Sequence, residues 1–175
     1  MMTLVIGGAA SGKSEFAEGL VLSAGELPRY YIATMQPFDE ECRARIRRHR
    51  QMRAEKRFET LECFTNLKSL TLPQRGVVLL ECISNLTANE LYSPDGAGET
   101  AIEAICQGIE HLRTQCQELV IVSNEVFSGD SDYEGDTLHY LQVLAEVNRA
   151  LARQADCVYE VVCGMPVCHK GGNTR

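Results

Sequence analysis

Short unbroken apolar runs alternate along this chain with longer stretches in which apolar positions recur every three or four residues. Thr3–Ile6, Arg29–Ala33, Val77–Leu80, Leu119–Ser123 and Cys157–Val162 are short and rich in Val, Ile, Leu or Tyr. Such runs predict strands buried on both faces. Lys13–Ser23, Asp39–Arg57, Glu99–Gln115 and Thr137–Gln154 carry helical spacing. Strand and helix in turn predict an α/β fold: a mostly parallel sheet flanked by helices. Ser93–Gly98 and Ser128–Asp136 read as loops. With no repeat or linker, residues 1–170 read as a single nucleotide-binding domain and 171–175 as a flexible tail.

Open sheets of this kind bind ligands beyond the carboxyl ends of their strands. After the first strand stands Gly7-Gly8-Ala9-Ala10-Ser11-Gly12-Lys13-Ser14, which fits G-x-x-x-x-G-K-[ST]. Strand, glycine loop and helix in that order are the context of a phosphate-binding P-loop. The glycines allow backbone N–H groups to turn inward around an anion, and the helix N-terminus adds positive potential. Lys13 is placed to reach β- and γ-phosphates, and Ser14 to ligate Mg²⁺. Thr34-Met35, Glu81 and Asn124-Glu125 follow the next three strands. Glu81 closes an apolar strand, where P-loop proteins hold a metal-organising carboxylate. Its plainer role is to cap the next helix. Glu125 is a second candidate, for water, metal or a substrate hydroxyl.

The 175 residues suffice for one domain with a real core. No run approaches the roughly 18 apolar residues of a membrane span. The N-terminus lacks a basic region followed by an apolar run, so a cytoplasmic location is expected. Eight cysteines form no C-x-x-C pair and read as reduced small hydrophobes. Cys163, Cys168 and His169 lie close together near the end, a thin basis for a metal site. A net charge of −7 argues against general nucleic-acid binding. Yet residues 43–57 hold eight of the seventeen basic side chains.

His49 sits inside that basic stretch. On a helix, Arg45 and Arg53 stand on its own face, four residues to either side. Nearby cations disfavour the imidazolium, and a neutral imidazole can act as a nucleophile. The same arginines could neutralise a triphosphate under attack. From spacing alone, a solvated charged helix with an incidental histidine is the better account of the pattern. His111 and His139 lie in helical stretches and read as structural.

Taken in order, the motifs resemble a known family. The glycine loop is followed by Phe16-Ala17-Glu18, then Tyr31-Ile32-Ala33-Thr34, Asp39-Glu40-Glu41, Arg45-Ile46 with His49, Leu79-Leu80-Glu81-Cys82-Ile83, Val122-Ser123-Asn124-Glu125-Val126 and Val147-Asn148. The combination is similar to the bifunctional adenosylcobinamide kinase / adenosylcobinamide-phosphate guanylyltransferases of cobalamin biosynthesis, over nearly the whole chain. The resemblance implies a P-loop NTPase with a RecA-like sheet and two reactions. A nucleoside triphosphate, ATP or GTP, phosphorylates the aminopropanol hydroxyl of adenosylcobinamide. GMP then passes from GTP to that phosphate through a GMP–histidine intermediate, with His49 as the matching histidine. Catalytic roles fall on His49, Lys13 and Glu81, and Mg²⁺ on Ser14 and Glu81. Nucleotide contacts fall on Gly7, Gly8, Ala9, Ala10, Ser11, Gly12, Lys13 and Ser14, and on Ala33, Thr34, Met35, Arg50, Gln51, Met52, Arg53, Glu62 and Glu81. A homotrimer with its pocket near a subunit boundary is also implied.

The chain departs from the family pattern in places. Leu138-His139-Tyr140-Leu141-Gln142 replaces an Arg-x-Phe-Arg-Asp-like run. Phe58 stands where tryptophan is common, and Met52 and Ala54 replace a Gly and a Pro. These changes leave the guanylylation core in place and bear on substrate handling. Competing readings are a kinase-only P-loop enzyme acting on another small alcohol and a non-catalytic nucleotide-binding module. Against the module, the chain has no Asn-Lys-x-Asp guanine motif.

Overall fold

In the computed structural model, seven strands among the described residues form one sheet in the order β3-β2-β4-β5-β1-β6-β7. The structure describes residues 1–37, 40, 43, 44, 46, 47, 51, 54–126 and 133–172. The strands are β1 (Met2–Ile6), β2 (Arg29–Ala33), β3 (Phe58–Glu62), β4 (Val77–Glu81), β5 (Glu118–Val122), β6 (Cys157–Val162) and β7 (Met165–Lys170). The first six pair in parallel, and β7 returns antiparallel along β6. Four fully described α-helices accompany them: α1 (Lys13–Ser23), α2 (Ile83–Tyr92), α3 (Ala101–Gln115) and α4 (Gly135–Gln154).

Strand side chains alternate between two cores, because successive residues point to opposite faces. Leu4, Ile32, Val78, Leu80, Leu119 and Ile121 pack under α2, α3 and α4. Val5, Tyr31, Val77, Leu79, Val120 and Val122 pack with Ala17 and Val21 of α1. Both faces are therefore covered, and the central strands need apolar residues at every position. On α3, Ile105, Ile109 and Leu112 make the buried stripe, as do Val143, Leu144, Val147 and Leu151 on α4.

Five strands and three helices lie where the pattern predicts, with ends shifted by a few residues. Three elements were not expected. The strand β3 reads Phe-Glu-Thr-Leu-Glu, with three of five positions exposed, so charge breaks its apolar signal. The edge strand β7 is exposed throughout and contains Pro166. The helix α2 buries six of its ten residues, including Ser84, Thr87 and Asn89, and lacks a clean stripe. The predicted helix 39–57 lies largely outside the described residues. Its described members Glu40, Arg43, Ala44, Ile46, Arg47 and Gln51 are helical. It gives way to a 3₁₀ turn at Ala54–Lys56, and Arg57 follows at φ 56°. Lys56 is then tied to Glu18 of α1 by an ion pair.

The helix α3 crosses a 3₁₀ turn at Leu67–Ser69, and Gly108 marks the crossing. A Cβ there would sit 2.7 Å from Leu67 Cβ and 3.2 Å from the Lys68 nitrogen. Replacing glycine by alanine in mid-helix normally gains about 1 kcal/mol. Overpacking typically costs about 1–3 kcal/mol. Neither contact is the free end of a side chain, so the second effect should win. Gly108→Ala is expected to lower the urea midpoint; a raised midpoint would show that the crossing is loosely packed.

Candidate active site

Parallel pairing delivers the carboxyl ends of β1, β2, β4 and β5 to one edge. Ala33 is level with Glu81, and Glu81 with Val122. The glycine loop rises from β1 at this edge and feeds directly into α1. Ala10 and Gly12 adopt positive φ, 56° and 89°. Gly7 has no room for a side chain, since a Cβ would lie 2.6 Å from Ser11 Oγ and 2.7 Å from the Val161 carbonyl. Three further bonds shape the loop: Glu125 N–H to the Gly7 carbonyl at 3.0 Å, Ser11 N–H to Gly8 at 3.3 Å, and Gly164 N–H to the Ser11 carbonyl at 2.7 Å. The last comes from the β6–β7 turn, which leans on the loop from outside.

A cleft of about 450 Å³ opens above this edge. Of the residues singled out in the sequence, Ala9, Ala10, Lys13, Ser14, Ala33, Met35, Glu62 and Glu81 line it. Lys13 Nζ donates to the Gly8 carbonyl at 2.9 Å, folded back over its own loop. Ser14 Oγ donates to Glu81 Oε1 at 2.5 Å, and Tyr31 Oη donates to Glu81 Oε2 at 3.2 Å. The carboxylate is thus held on both oxygens between the first helix and a neighbouring strand. Among the described residues Lys13, the hydroxyls of Ser14, Tyr31 and Thr60, and the carboxylates of Glu62 and Glu81 share the cleft. That set can neutralise phosphate and offer hard oxygen donors to a divalent cation.

Of the other predicted contacts, Gly7, Gly8, Ser11 and Gly12 form the loop without lining the cleft, and Thr34 lies behind it. Its side chain is fully buried, beneath the cleft wall. Its hydroxyl accepts from Cys82 N–H and donates to the Cys82 carbonyl, both at 2.8 Å. Asn89 of α2 donates to the Thr34 carbonyl at 2.8 Å and to that of Phe64 at 2.9 Å. Thr34 therefore joins the ends of β2 and β4 and cannot touch a ligand through its side chain. Gln51 is helical and exposed, outside the cleft lining. His49, Arg50, Met52 and Arg53 lie outside the described residues. Ile46, three residues before His49, does line the cleft.

Several lining residues were not assigned to the site from the sequence: Tyr31, Thr60, Cys82, Asn85 and Val126. Thr60 and Asn85 sit on elements the apolar pattern did not reveal. Tyr31 carries no signal of a site role beyond its alternate position on β2. Asn124 Nδ2 donates to Ser84 Oγ at 2.6 Å, and Ser84 Oγ meets Cys82 Sγ at 2.9 Å. Burial raises the Cys82 thiol above its ordinary value, so it stays protonated. Ser123 Oγ donates to Asn148 Oδ1 at 2.6 Å, fixing the end of β5 to α4. His169 faces Glu160 at 2.9 Å. Among the described residues, no group of three His, Cys, Asp or Glu could hold a metal ion, and the seven cysteines are free thiols.

A glycine loop between the first strand and helix, facing an acid at the end of a nearby parallel strand, defines a P-loop NTPase with a RecA-like sheet. The fold is shared with flagellar accessory protein FlaH from Methanocaldococcus jannaschii, at a TM-score of 0.50 and 10% identity, over 99% of this chain and 81% of that one. It is shared also with a solved ATPase domain, at 0.51 and 12%, over 91% and 68%. The chain belongs to the family described as cobinamide kinase / cobinamide phosphate guanyltransferase, which it matches over residues 3–168. It is 37% identical over 182 residues to the bifunctional adenosylcobalamin biosynthesis protein CobU of Salmonella typhimurium, covering 95% of this chain and 98% of that protein. The Escherichia coli protein of the same name is 38% identical over 181 residues, with the same coverage. The corresponding CobP of Pseudomonas aeruginosa is 32% identical over 178 residues, 98% of each.

The Thr34 bridge is open to test. In Thr34→Val the shape is kept, but the Cys82 N–H loses its partner, while the Cys82 carbonyl keeps the Leu86 N–H at 3.1 Å. Unsatisfied buried groups cost about 1–3 kcal/mol each. Thr34→Val is expected to lower the melting temperature markedly, whereas Thr34→Ser keeps GTP affinity close to wild type. Lost GTP affinity in a fully folded Thr34→Ser protein would instead make Thr34 a ligand contact.

Proposed function

We propose that this chain carries out two successive group transfers on cobinamide. In the first, the aminopropanol hydroxyl of adenosylcobinamide attacks the γ-phosphorus of ATP or GTP. The new O–P bond forms, the bond to the β-phosphate oxygen breaks, the nucleoside diphosphate leaves and the hydroxyl proton passes to solvent. In the second, the His49 imidazole attacks the α-phosphorus of GTP and pyrophosphate leaves. A phosphate oxygen of adenosylcobinamide phosphate then displaces the histidine from GMP, giving adenosyl-GDP-cobinamide and the free imidazole.

The observation that carries this reading is the meeting of Lys13, Ser14 and Glu81 in one cleft at the phosphate loop. In our reading the loop amides from Gly7 to Gly12 and Lys13 cradle the β- and γ-phosphates. Ser14 Oγ and Glu81 Oε1 are adjacent hard oxygens that would hold Mg²⁺. When bound there, the ion supplies charge neutralisation at the phosphate oxygens. Tyr31 keeps the Glu81 carboxylate turned toward Ser14. Ala33, Met35 and Glu62, with Arg50, Gln51, Met52 and Arg53, take the rest of the nucleotide. Phosphoryl transfer then needs little beyond positioning and charge neutralisation.

His49 is supported by spacing. Ile46 lines the cleft, its described neighbours are helical, and three residues separate it from His49. Arg45 and Arg53 disfavour protonation of the imidazole and leave its lone pair available. We place the working protein in the cytoplasm as a homotrimer. No helix among the described residues is long and apolar enough to cross a membrane.

Incubation with Mg²⁺ and α-labelled GTP tests the nucleophile. Wild type should acquire acid-labile, base-stable label, and His49→Ala should acquire none while still phosphorylating adenosylcobinamide. Label that persists in His49→Ala would remove the histidine from the mechanism. Phosphorylation of cobinamide with no protein label in wild type would reduce the reading to a kinase.

A further inference from the structure

A cobinamide is too large to share the cleft with a nucleotide. At about 450 Å³ the cleft accommodates one ligand of ordinary size. With a triphosphate on the loop, the corrin macrocycle must lie outside, and only its aminopropanol arm can reach in. The surface it rests on must therefore adjoin the cleft.

One described surface does so. Asn85 of α2 lines the cleft, while Ala88 and Tyr92 of the same helix line two neighbouring grooves of about 410 and 260 Å³. Residues three and seven further on share one helix face, and seven residues advance about 10 Å. On the other side Met35 lines the cleft and Gln36 the larger groove, so the two are continuous through consecutive residues. Tyr92 is common to both grooves and forms the ridge between them. Its ring is 51% exposed, and its hydroxyl donates to the Asp136 carbonyl at 2.7 Å. Tyr140, in the smaller groove, donates its hydroxyl to the Ser84 carbonyl at 3.3 Å. Both rings are pinned at their polar ends. Asp95 lines the larger groove and Asp136 the smaller, so each contributes an acidic residue.

We propose that this double groove is the docking surface for the corrin macrocycle, with Tyr92 as its central contact. The inference rests on the activity proposed above. A cobinamide has broad apolar faces, a fringe of primary amides and a positive charge. The tyrosine rings meet the faces, and the two acidic residues complement the charge and accept from the amides. So seated, the substrate directs its arm past Asn85 toward the nucleotide.

Two variants test the surface. Tyr92→Ala removes the ridge, and Ala88→Arg obstructs both grooves and opposes the substrate's charge. Each is expected to raise KM for adenosylcobinamide about tenfold or more, the loss of one well-placed aromatic contact. KM for the phosphate donor and corrinoid-independent labelling by α-labelled GTP should stay at wild-type values, and Tyr92→Phe should behave as wild type. Equilibrium dialysis of cobinamide, read by visible absorbance, should show the same loss of affinity without turnover. Unchanged affinity in both variants overturns the proposal. A changed oligomeric state accompanying the loss also overturns it, by assigning the face to a second copy of the chain. Wild type that binds cobinamide through this surface but never phosphorylates it would fault the activity and uphold the docking site.

Discussion

Everything chemical in this protein depends on strand register in a parallel sheet. Hydrogen bonding sets Ala33, Glu81 and Val122 on one line, and β1 ends beside it. A slip of one residue would turn Glu81 from the α1 side of the sheet to the other and exchange the two apolar cores. The buried hydroxyl of Thr34 locks that line by taking both backbone groups of Cys82. Such a polar contact is worth more for specificity than for strength. Its loss would leave the Cys82 N–H buried without a partner, while the carbonyl keeps the Leu86 N–H.

Much of this was legible in the sequence because burial on two faces leaves a strong mark. The central strands are continuous apolar runs, and α1 begins at Lys13 where the glycine loop ends. The phosphate loop could be read because its chemistry requires glycine at places where a side chain would collide, as at Gly7. Elements at the edges were harder. In β3 Glu59 and Glu62 interrupt Phe58 and Leu61, which pack on opposite faces of the sheet, so neither an apolar run nor a clean alternation appears. The strand β7 has no buried position; it is held by pairing with β6 and by Lys170 Nζ, which donates to the Ala152 and Arg153 carbonyls of α4. In α2, small polar residues are buried because they bond to neighbouring backbone, as Asn89 does. Hydropathy cannot register a polar residue that is buried because it is paired. Thr34 shows the same limit within the site: a sequence places it beside the ligand, but only coordinates show its hydroxyl turned away.

The segment with the densest positive charge is secured at its far end. Lys56 pairs with Glu18, a nearly fully buried carboxylate on the helix that follows the phosphate loop. Arg29 Nη1 reaches the Lys56 carbonyl at 3.3 Å. At the near end Met35 and Gln36 leave β2 along the cleft wall, and Ile46 returns to it. The described residues of this segment thus meet α1 at Lys56 and the cleft at Ile46. An acidic protein can bind polyanionic nucleotides on these terms, because the local field near the site, and not the net charge of −7, decides.

The turn between β6 and β7 touches the glycine loop through the Gly164 N–H and the Ser11 carbonyl. The two groups are separated by nearly the whole chain. Moreover β1, which carries the loop, has β5 and β6 as its sheet partners. The loop therefore precedes in the chain both the strands and the turn that support it. Its strand β1 finds a neighbour only when β5 is in place, and the loop gains its outer support only when the β6–β7 turn has formed, so its shape rests on contacts between distant parts of the chain.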